Sequence, residues 1–467
     1  MQSMLSDSSD FERRIAGAEP ALRRFFDSGS PVILTRAPGR LDVMGGVADY
    51  SGSLALEATV GEATLVALQR RSDDIVRVWS RGAGLECDLV EVPLSRLIGE
   101  PGEVGRRLRQ DEKSRWAAYV LGGFTILIGD GRLGGHAGGA NMVVESNVPL
   151  SAGLASSAAL EVAAMKAITV AYGIEIDPQT IAVLAQRVEN TVVGAPCGIM
   201  DQMASTLGQA ERLLVLLCQP YEVQGFCAFP KGVRIFGIHS NVRHSVSGNP
   251  YVRARVAAFM GRKIVNERLR LEGLAPVRFL CEVTPNRYRR DYSTIVPGKM
   301  SGREFLAAYA GHEDSVTKVD PDGVYPVRAS TEHAIYENAR VRTFWTSMDE
   351  AGRISASEQT KALIRAGRAM YGSHWSYTRI GLGCRETTML TRLLRAAGPA
   401  HGIFGAKITG GGSGGVVAVL TCDEGAQEAV GDIAYEYARL SGNEPRVVVG
   451  GTSPGAAAFG SRTINLH

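Results

Sequence analysis

The stretch GRLDVMGGVADYSGS, residues 39–53, carries residue types that could bind a small polar molecule. It holds one arginine, two aspartates and clustered glycines between short apolar runs. Glycine lets a backbone approach a partner closely, and a lone guanidinium with nearby carboxylates suits a polar ligand. The pattern predicts a ligand-binding loop that leaves a strand. Arg40 and Asp49 are the candidate contacts, with Gly46 and Val47 between them.

A second stretch, PLSAGLASSAALEVAAMKAITVAYG at residues 149–173, places a glycine and two serines at the start of an Ala-rich helix. The first N–H groups of a helix lack intrahelical partners and lie at the positive end of its dipole, so they can hold a phosphate. Ser156 and Ser157 could instead cap an ordinary core helix. The chain contains no GxxxxGK[ST] sequence, so a phosphate site here would differ from a P-loop.

Two carboxylates in VENTVVGAPCGIMDQ, residues 188–202, could serve a metal ion and a hydroxyl group. Glu189 falls in a helix predicted over 177–194, and Asp201 falls in the turn predicted over 195–202. Carboxylates on a solvated surface are the alternative.

The glycine-rich stretch ITGGGSGGVVAVL, residues 408–420, matches both GxGxxG and GxSxG. A dinucleotide-binding fingerprint must open a helix, whereas a β-branched strand follows here. A nucleophile elbow needs a downstream histidine, and the only one is the last residue. The stretch therefore predicts a loop whose backbone packs closely against another loop or a phosphate.

The elements that must position these stretches mix helices and strands in two halves. In the first half the pattern predicts a lead-in helix over 10–28, strands over 31–39 and 212–220, and helices over 154–173 and 177–194. In the second half it predicts helices over 251–271, 331–351, 357–371, 383–397 and 425–441. Residues 280–330 have weak periodicity and are predicted to be an excursion outside the core. This is an α+β chain with a lead-in segment 1–30 and two lobes, 31–225 and 226–467.

Composition excludes several classes of protein. The 467 residues are 45% hydrophobic and 21% charged, which is typical of a globular chain. A net charge of +3 gives no electrostatic reason to expect nucleic acid as a partner. The seven cysteines form no CxxC pair, and no apolar run is long enough to span a membrane. We expect a cytoplasmic protein in a reducing compartment, with no membrane partner.

Taken in order, these stretches resemble the three motifs of the GHMP small-molecule kinases. The motifs are APGRLDVMGGVADYSGS, PLSAGLASSAALEVA and AKITGGGSGG. The galactokinase branch is the most similar, because of VGAPCGIMDQ, SRWAAYVLGG, MYGSHWS and the segment HSNVRHSVSGNPYVRAR at 239–255. Within that branch, the residues of the first motif are most similar to those of plant L-arabinokinases. The resemblance runs from about residue 31 to 460.

The resemblance implies a two-lobed α+β fold in which ATP and a sugar meet between the lobes. The N-terminal lobe would resemble domain 2 of ribosomal protein S5, and the C-terminal lobe would have ferredoxin-like topology. Asp201 and Arg40 would be the catalytic residues, with Asp201 facing the anomeric hydroxyl and Arg40 beside it. Ser157 and Glu189 would bind Mg²⁺. The positions that match sugar contacts are Asp49, Gly46, Val47, Gly198 and Tyr251. Those that match ATP contacts are Ser151, Ala152, Gly153, Leu154, Ala155, Ser156, Ser157, Ala158, Trp116, Gly411 and Gly412. Trp116 could instead be a core tryptophan.

The resemblance also implies which sugar is used. Galactokinases carry Glu-His where this chain has Gly46-Val47, and those side chains hold the hydroxyl on the sixth carbon of galactose. L-Arabinopyranose has the same ring configuration without that carbon, so we expect a sugar 1-kinase for L-arabinose, working as a monomer or weak homodimer. The alternatives are a galactokinase for D-galactose, a catalytically silent sensor of sugar and ATP, and a kinase for a non-sugar alcohol.

Overall fold

A large sheet with mostly antiparallel pairing runs through the molecule and carries strands from both halves of the sequence. The computed structural model describes residues 6–81, 89–112, 114–242, 250–423 and 425–466. Its strands are β1 (Val32–Met44), β2 (Leu54–Arg70), β3 (Ile75–Arg81), β4 (Leu89–Pro93), β5 (Ala140–Ser146), β6 (Arg212–Leu217), β7 (Glu222–Ala228), β8 (Val233–His239), β9 (Met300–Ser301), β10 (Val324–Tyr325), β11 (Ile403–Ile408), β12 (Val416–Cys422), β13 (Arg446–Gly450) and β14 (Arg462–Ile464). Its α-helices are α1 (Ser6–Arg13), α2 (Pro20–Phe25), α3 (Pro101–Leu108), α4 (Ala118–Gly129), α5 (Ser156–Ala171), α6 (Pro178–Arg187), α7 (Met200–Leu207), α8 (Pro250–Leu271), α9 (Pro285–Arg287), α10 (Gly302–Tyr309), α11 (Val327–Ala351), α12 (Ala356–Arg379), α13 (Arg385–Ala397), α14 (Ala426–Ser441) and α15 (Ala456–Phe459). The predicted α+β class is confirmed.

Strand β1 is longer than predicted and contains part of the first motif. The sequence predicted a loop from residue 39, but β1 continues to Met44 and the turn occupies 45–53. β1 pairs with β2 through register shifts between Pro38 and Arg40 and between Asp42 and Met44. Such bulges let a strand continue past an irregular position and redirect its side chains. Arg40 and Asp42 therefore lie on a buried strand rather than on a loop.

Strand β2 connects the two halves of the sheet. It pairs with β1, β5 and β6, and the bridge between Val60 and Gly450 joins it to β13. From β13 the sheet continues through β8 and β12 to β11. Near the end of the chain, β14 returns to pair with β1. The predicted lobe limits at 31–225 and 226–467 stay a prediction.

Helices α5, α6 and α7 carry the second motif and the carboxylates that follow it. After α6 the chain forms a π-helical turn over Val188–Val193, which Gly194 ends with a φ of 75°. Helix α7 begins at Met200, so Asp201 lies in its first turn rather than in the predicted turn over 195–202. A carboxylate in the first turn of a helix is stabilised by the helix dipole.

Two further expectations were wrong. The lead-in helix predicted over 10–28 is interrupted, because Gly17 has a φ of 145° and Pro20 starts a new helix. The excursion predicted over 280–330 contributes to the core, because Leu280, Tyr288 and Phe305 are fully buried in one cluster with side chains of α8 and α11. The segment consists of short, irregular helices, so its buried residues do not recur at the regular spacing on which the sequence prediction depends.

Within the described residues, no helix combines the length and apolar character needed to cross a membrane.

Candidate active site

The guanidinium of Arg40 on β1 holds the carboxylate of Asp201 on α7. Arg40 Nη2 and Nε donate to Asp201 Oδ1 at 2.6 and 3.0 Å. Arg40 Nη1 donates to the carbonyl of Gly153 at 2.6 Å, which joins the first motif to the second. The side chain of Arg40 is 2% exposed and that of Asp201 is 24% exposed. The carboxylate can therefore meet a ligand while the buried arginine fixes its orientation.

Glu57 on β2 is a buried carboxyl behind this pair that the sequence analysis did not single out. Its Oε2 lies 3.1 Å from Arg40 Nε, and its side chain is fully buried. Burial raises the pKa of Glu57 well above its usual value, and Asp42 adds to this effect while Arg40 opposes it. Burial alone would lower the pKa of Arg40, but the charges of Asp201 and Glu57 raise it. An acidic residue in the apolar run LALEATVG was the available sequence signal.

Asp49 and Gly198 meet in a close contact between the first motif and the turn before α7. A Cβ added at Gly198 would lie 1.4 Å from Asp49 Oδ2, so only glycine fits beside this carboxylate. Asp49 is 3% exposed, and its Oδ1 is buried without a hydrogen-bond partner. Burial raises the pKa of Asp49 to about 6, with Arg255 opposing the shift. A buried acceptor without a partner points to a ligand that donates a hydrogen bond.

Tyr251 and Arg255 on α8 complete the surroundings of Asp49. The ring of Tyr251 packs edge-on against Tyr50, with the ring centroids 6.1 Å apart. Burial raises the pKa of Tyr251, and the charge of Asp49 adds to the effect, so the phenol stays a neutral donor. Asp49, Gly198 and Tyr251, which the sequence placed far apart, thus surround one position. Arg255 was overlooked, although it lies in the quoted segment NPYVRAR.

The turn before α5 lacks the side-chain cap of an ordinary helix start. The residue before the helix, Ala155, has a left-handed backbone with φ 57°, and no side chain caps the first turn. Ser151 is also left-handed, with φ 57°. Strained backbone of this kind is concentrated at functional sites. Uncapped N–H groups of a long helix, next to Arg40 and Asp201, leave a place for phosphate oxygens.

The glycine-rich turn at 409–415 packs backbone to backbone against this loop. A Cβ at Gly415 would lie 2.4 Å from the carbonyl of Ala152, and one at Gly410 would lie 2.9 Å from that of Gly153. A Cβ at Gly412 would meet the carbonyl of Leu382 at 2.7 Å, whereas Gly411 has only Tyr251 nearby, at 3.9 Å. The glycines at 410, 412 and 415 therefore serve the contact between loops, whereas a side chain at Gly411 would face Tyr251.

The carboxylate of Glu189, in the π-helical turn after α6, lies next to Ser157 in the first turn of α5. Glu189 accepts from Gln202 Nε2 at 2.7 Å and also forms a hydrogen bond with Ser157. Burial raises the pKa of Glu189, and nearby Asp201 adds to the shift. A second buried acid, Glu161, accepts from the same Gln202 at 3.1 Å and was missed in the sequence. A hydroxyl and a carboxylate beside a phosphate site fit Mg²⁺, whose charge would offset the burial of these acids.

Gly46 and Val47 lie next to a fully buried ion pair between Asp42 and Lys407. Lys407 Nζ and Asp42 Oδ2 are 2.8 Å apart with both side chains 0% exposed, and they connect the first and third motifs. Tyr377 Oη donates to the same oxygen at 3.1 Å. A Cβ at Gly46 would lie 2.0 Å from Asp42 Oδ2 and 2.2 Å from Tyr377 Oη. No side chain fits at residue 46 in this arrangement.

Val47 is held in an unusual conformation next to that pair. Its φ is 58°, which is rare for a β-branched residue, and it is 2% exposed. His333 Nε2 lies 3.0 Å from the carbonyl of Gly46 and its Nδ1 lies 2.8 Å from Ser376 Oγ, which secures the turn. The side chain of Val47 packs in an apolar cluster that includes Tyr50.

Trp116 lies apart from these contacts. It packs against a core cluster that includes side chains of α4 and α5, and its indole Nε1 is buried without a hydrogen-bond partner. Its assignment as an adenine contact stays a prediction. Residues 243–249 of the segment at 239–255 lie outside the described residues.

Comparisons with known proteins agree with the fold. The family models for the N-terminal and C-terminal domains of GHMP kinases match residues 119–209 and 356–439. These matches show that the chain carries the N-terminal and C-terminal domains of GHMP kinases. Its fold is similar to that of the Lactococcus lactis galactokinase solved with galactose, with a TM-score of 0.74, 19% identity, and coverage of 99% of this chain and 100% of that one.

Two curated relatives give the finer comparison. The chain is 37% identical to the L-arabinokinase of Arabidopsis thaliana over 96% of its own length, but it spans only 48% of that relative. It is 29% identical to the galactokinase of Chloroflexus aggregans, with 92% of this chain and 95% of the relative covered. The predicted resemblance to the galactokinase branch is confirmed.

Proposed function

We propose that this chain is an ATP-dependent sugar 1-kinase that converts L-arabinose to L-arabinose 1-phosphate. The observation that carries the proposal is the partly exposed carboxylate of Asp201, which buried Arg40 fixes beside an uncapped helix start. A proton acceptor next to a phosphate site is what transfer to a hydroxyl group requires. The cysteines without disulfide partners among the described residues suit a reducing compartment such as the cytoplasm.

Each residue of the candidate site would have a distinct role in phosphoryl transfer. Phosphoryl transfer needs alignment and charge stabilisation more than covalent help. The sugar O1 attacks the γ-phosphorus, the bond from that phosphorus to the oxygen of ADP breaks, and Asp201 takes the O1 proton late in the step. Arg40 orients Asp201, and the positive charge of Arg40 stabilises the negative charge that develops in the transition state. Asp49, beside Gly198 and Tyr251, would accept from the ring hydroxyls.

Ser151–Ala158 and the turn at 409–415 would hold the nucleotide. Ser157 and Glu189 would bind Mg²⁺, which neutralises phosphate charge when it is present. Because water can replace a hydroxyl ligand, Ser157→Ala should weaken the metal site less than a loss of Glu189.

The preference for a pentose rests on the surroundings of Gly46 and Val47. Because Asp42 and Tyr377 fill the space beside Gly46, no side chain there can reach a hydroxyl on a sixth carbon. Val47 carries no polar side-chain atom, and its side chain is buried in the apolar cluster with Tyr50. An exocyclic hydroxyl that is buried without a partner costs about 1–3 kcal/mol, or roughly a 5- to 150-fold loss in kcat/KM for D-galactose. The similarity to galactokinases over nearly their whole length keeps D-galactose as the second candidate.

The test is kcat/KM for L-arabinose and D-galactose with Mg²⁺ and ATP under one set of conditions. ³¹P NMR of the product would show whether the phosphate is on the anomeric carbon. We expect L-arabinose to be preferred. Equal or better use of D-galactose would overturn the pentose assignment and leave the kinase standing. If neither sugar is phosphorylated, the assignment as a sugar 1-kinase is overturned.

A further inference from the structure

Arg255 is a nearly buried cation that lies beside the proposed sugar site. Its side chain is 6% exposed, and it forms a bidentate ion pair with Asp314, at 2.8 Å from Nε to Oδ2 and 3.0 Å from Nη2 to Oδ1. Burying an arginine costs desolvation free energy even when it is paired with a carboxylate, so stability alone does not account for Arg255.

Asp314 belongs to the irregular segment 272–326 and is itself held firmly. Thr317 Oγ1 donates to Asp314 Oδ2 at 2.6 Å, and the N–H of Val316 donates to Oδ1 at 3.2 Å. Its side chain is only 3% exposed. The segment therefore presents a fixed carboxylate to α8.

The other side of Arg255 reaches both parts of the sugar site. Its Nη1 donates to the carbonyl of Cys197, the residue before Gly198, at 3.4 Å. Its guanidinium lies over the ring of Tyr50, the residue after Asp49, at 5.1 Å from the centroid. One cation thus contacts the immediate neighbours of the two residues, Asp49 and Gly198, that meet at the site.

We propose that Arg255, anchored by Asp314, is a positioning residue that sets the orientation and charge of Asp49 for sugar binding. The segment 272–326 would then be part of the sugar site rather than an accessory. The inference rests on the proposed function and extends it to a residue and a segment with no assigned role. Arg255 acts through Asp49 and the turn at 195–199 and forms no bond with the reacting atoms.

The charges around Asp49 support this role. Arg255 and the N–H of Tyr50 favour its ionised form, whereas burial, Asp201 and Asp42 oppose it. Loss of the cation at 255 should therefore raise the pKa of Asp49 further, and sugar binding should weaken at a higher pH than in the wild type. A merely structural arginine would not move this pH dependence.

The experiment compares four variants of the full chain: Arg255→Met, Asp314→Asn, the double variant, and Arg262→Met as the matched control. Arg262 lies on the same helix as Arg255, and both guanidinium groups lie over the ring of Phe259, at 4.8 Å for Arg262 and 5.8 Å for Arg255. Arg262 pairs with Glu313 instead of Asp314. KM and kcat are measured for L-arabinose, D-galactose and ATP, together with the dependence of the sugar KM on pH.

We expect Arg255→Met to raise the sugar KM roughly tenfold or more, the effect of losing a hydrogen bond to a charged group, with the KM for ATP unchanged. Asp314→Asn should raise the sugar KM less, and the double variant should be no worse than Arg255→Met because both changes act through one side chain. The sugar KM of Arg255→Met should begin to rise at a higher pH. Arg262→Met should match the wild type.

A wild-type sugar KM and pH profile in Arg255→Met would overturn the inference and leave the kinase proposal intact. Equal losses for sugar and ATP would also overturn it, because they would show a general defect of folding. A wild-type protein that neither binds nor phosphorylates either sugar would overturn the proposed function and this inference with it.

Discussion

Replacement of Gly198 by alanine tests whether Asp49 is the sugar acceptor. The added Cβ would lie 1.4 Å from Asp49 Oδ2 and 2.4 Å from its Cγ, whereas ordinary contact needs at least 3.4 Å. The carboxylate must therefore move by about 2 Å, the difference between 3.4 and 1.4 Å. The φ of Gly198 lies outside the left-handed region, so alanine brings no backbone strain of its own.

A shift of that size removes a hydrogen bond to a charged group, because such bonds do not extend beyond normal donor–acceptor distances. The loss is about 1.5–3 kcal/mol, which corresponds to roughly a 10- to 150-fold weaker sugar affinity. ATP affinity should be unchanged, since other residues, 151–158 and 409–415, form the proposed nucleotide site.

The assay is isothermal titration with L-arabinose and, separately, with ATP. Gly134→Ala is the matched control, because a Cβ there meets nothing within 4 Å. It should bind both ligands like the wild type. A sugar Kd for Gly198→Ala within about twofold of the wild type, less than 0.5 kcal/mol, would refute the placement of the sugar against Asp49.

Four further outcomes follow from the same geometry. Asp201→Asn should lower kcat by orders of magnitude in single-turnover assays while the Kd values for sugar and ATP change little, and turnover above about a tenth of wild type would remove it from the mechanism. Glu189→Ala should abolish most activity and raise the Mg²⁺ concentration needed for the remainder, and an unchanged Mg²⁺ titration would contradict the ligand assignment. Lys407→Met leaves the carboxylate of Asp42 buried without its cation and should lower the free energy of unfolding by about 3–5 kcal/mol in urea titrations, with partial recovery when Asp42→Asn is added. Because an ionised carboxylate is the stronger hydrogen-bond acceptor and burial raises the pKa of Asp49 to about 6, the sugar KM should rise as the pH falls below about 6, and a flat profile between pH 5 and 8 would argue against Asp49 as the sugar acceptor.

The sequence by itself determined the family motifs and most of the helices. The helix predicted over 154–173 spans Ser156–Ala171, and the helix predicted over 251–271 spans Pro250–Leu271. Such elements follow from local periodicity and from glycine at their ends. Arg40, Asp49 and Asp201 were predicted as site residues because they stand within recognisable motifs. Residues 280–330 were misjudged, because short irregular helices bury side chains without a regular period.

Only the tertiary structure decided how these residues meet. Nothing local in the sequence pairs Asp42 with Lys407, which lie on different strands, or places Asp314 against Arg255. The lack of room at Gly46 likewise depends on Tyr377, a residue of a distant helix. Periodicity reports which face of an element is buried, whereas the partner of a buried charge is set by the packing of elements far apart in the chain.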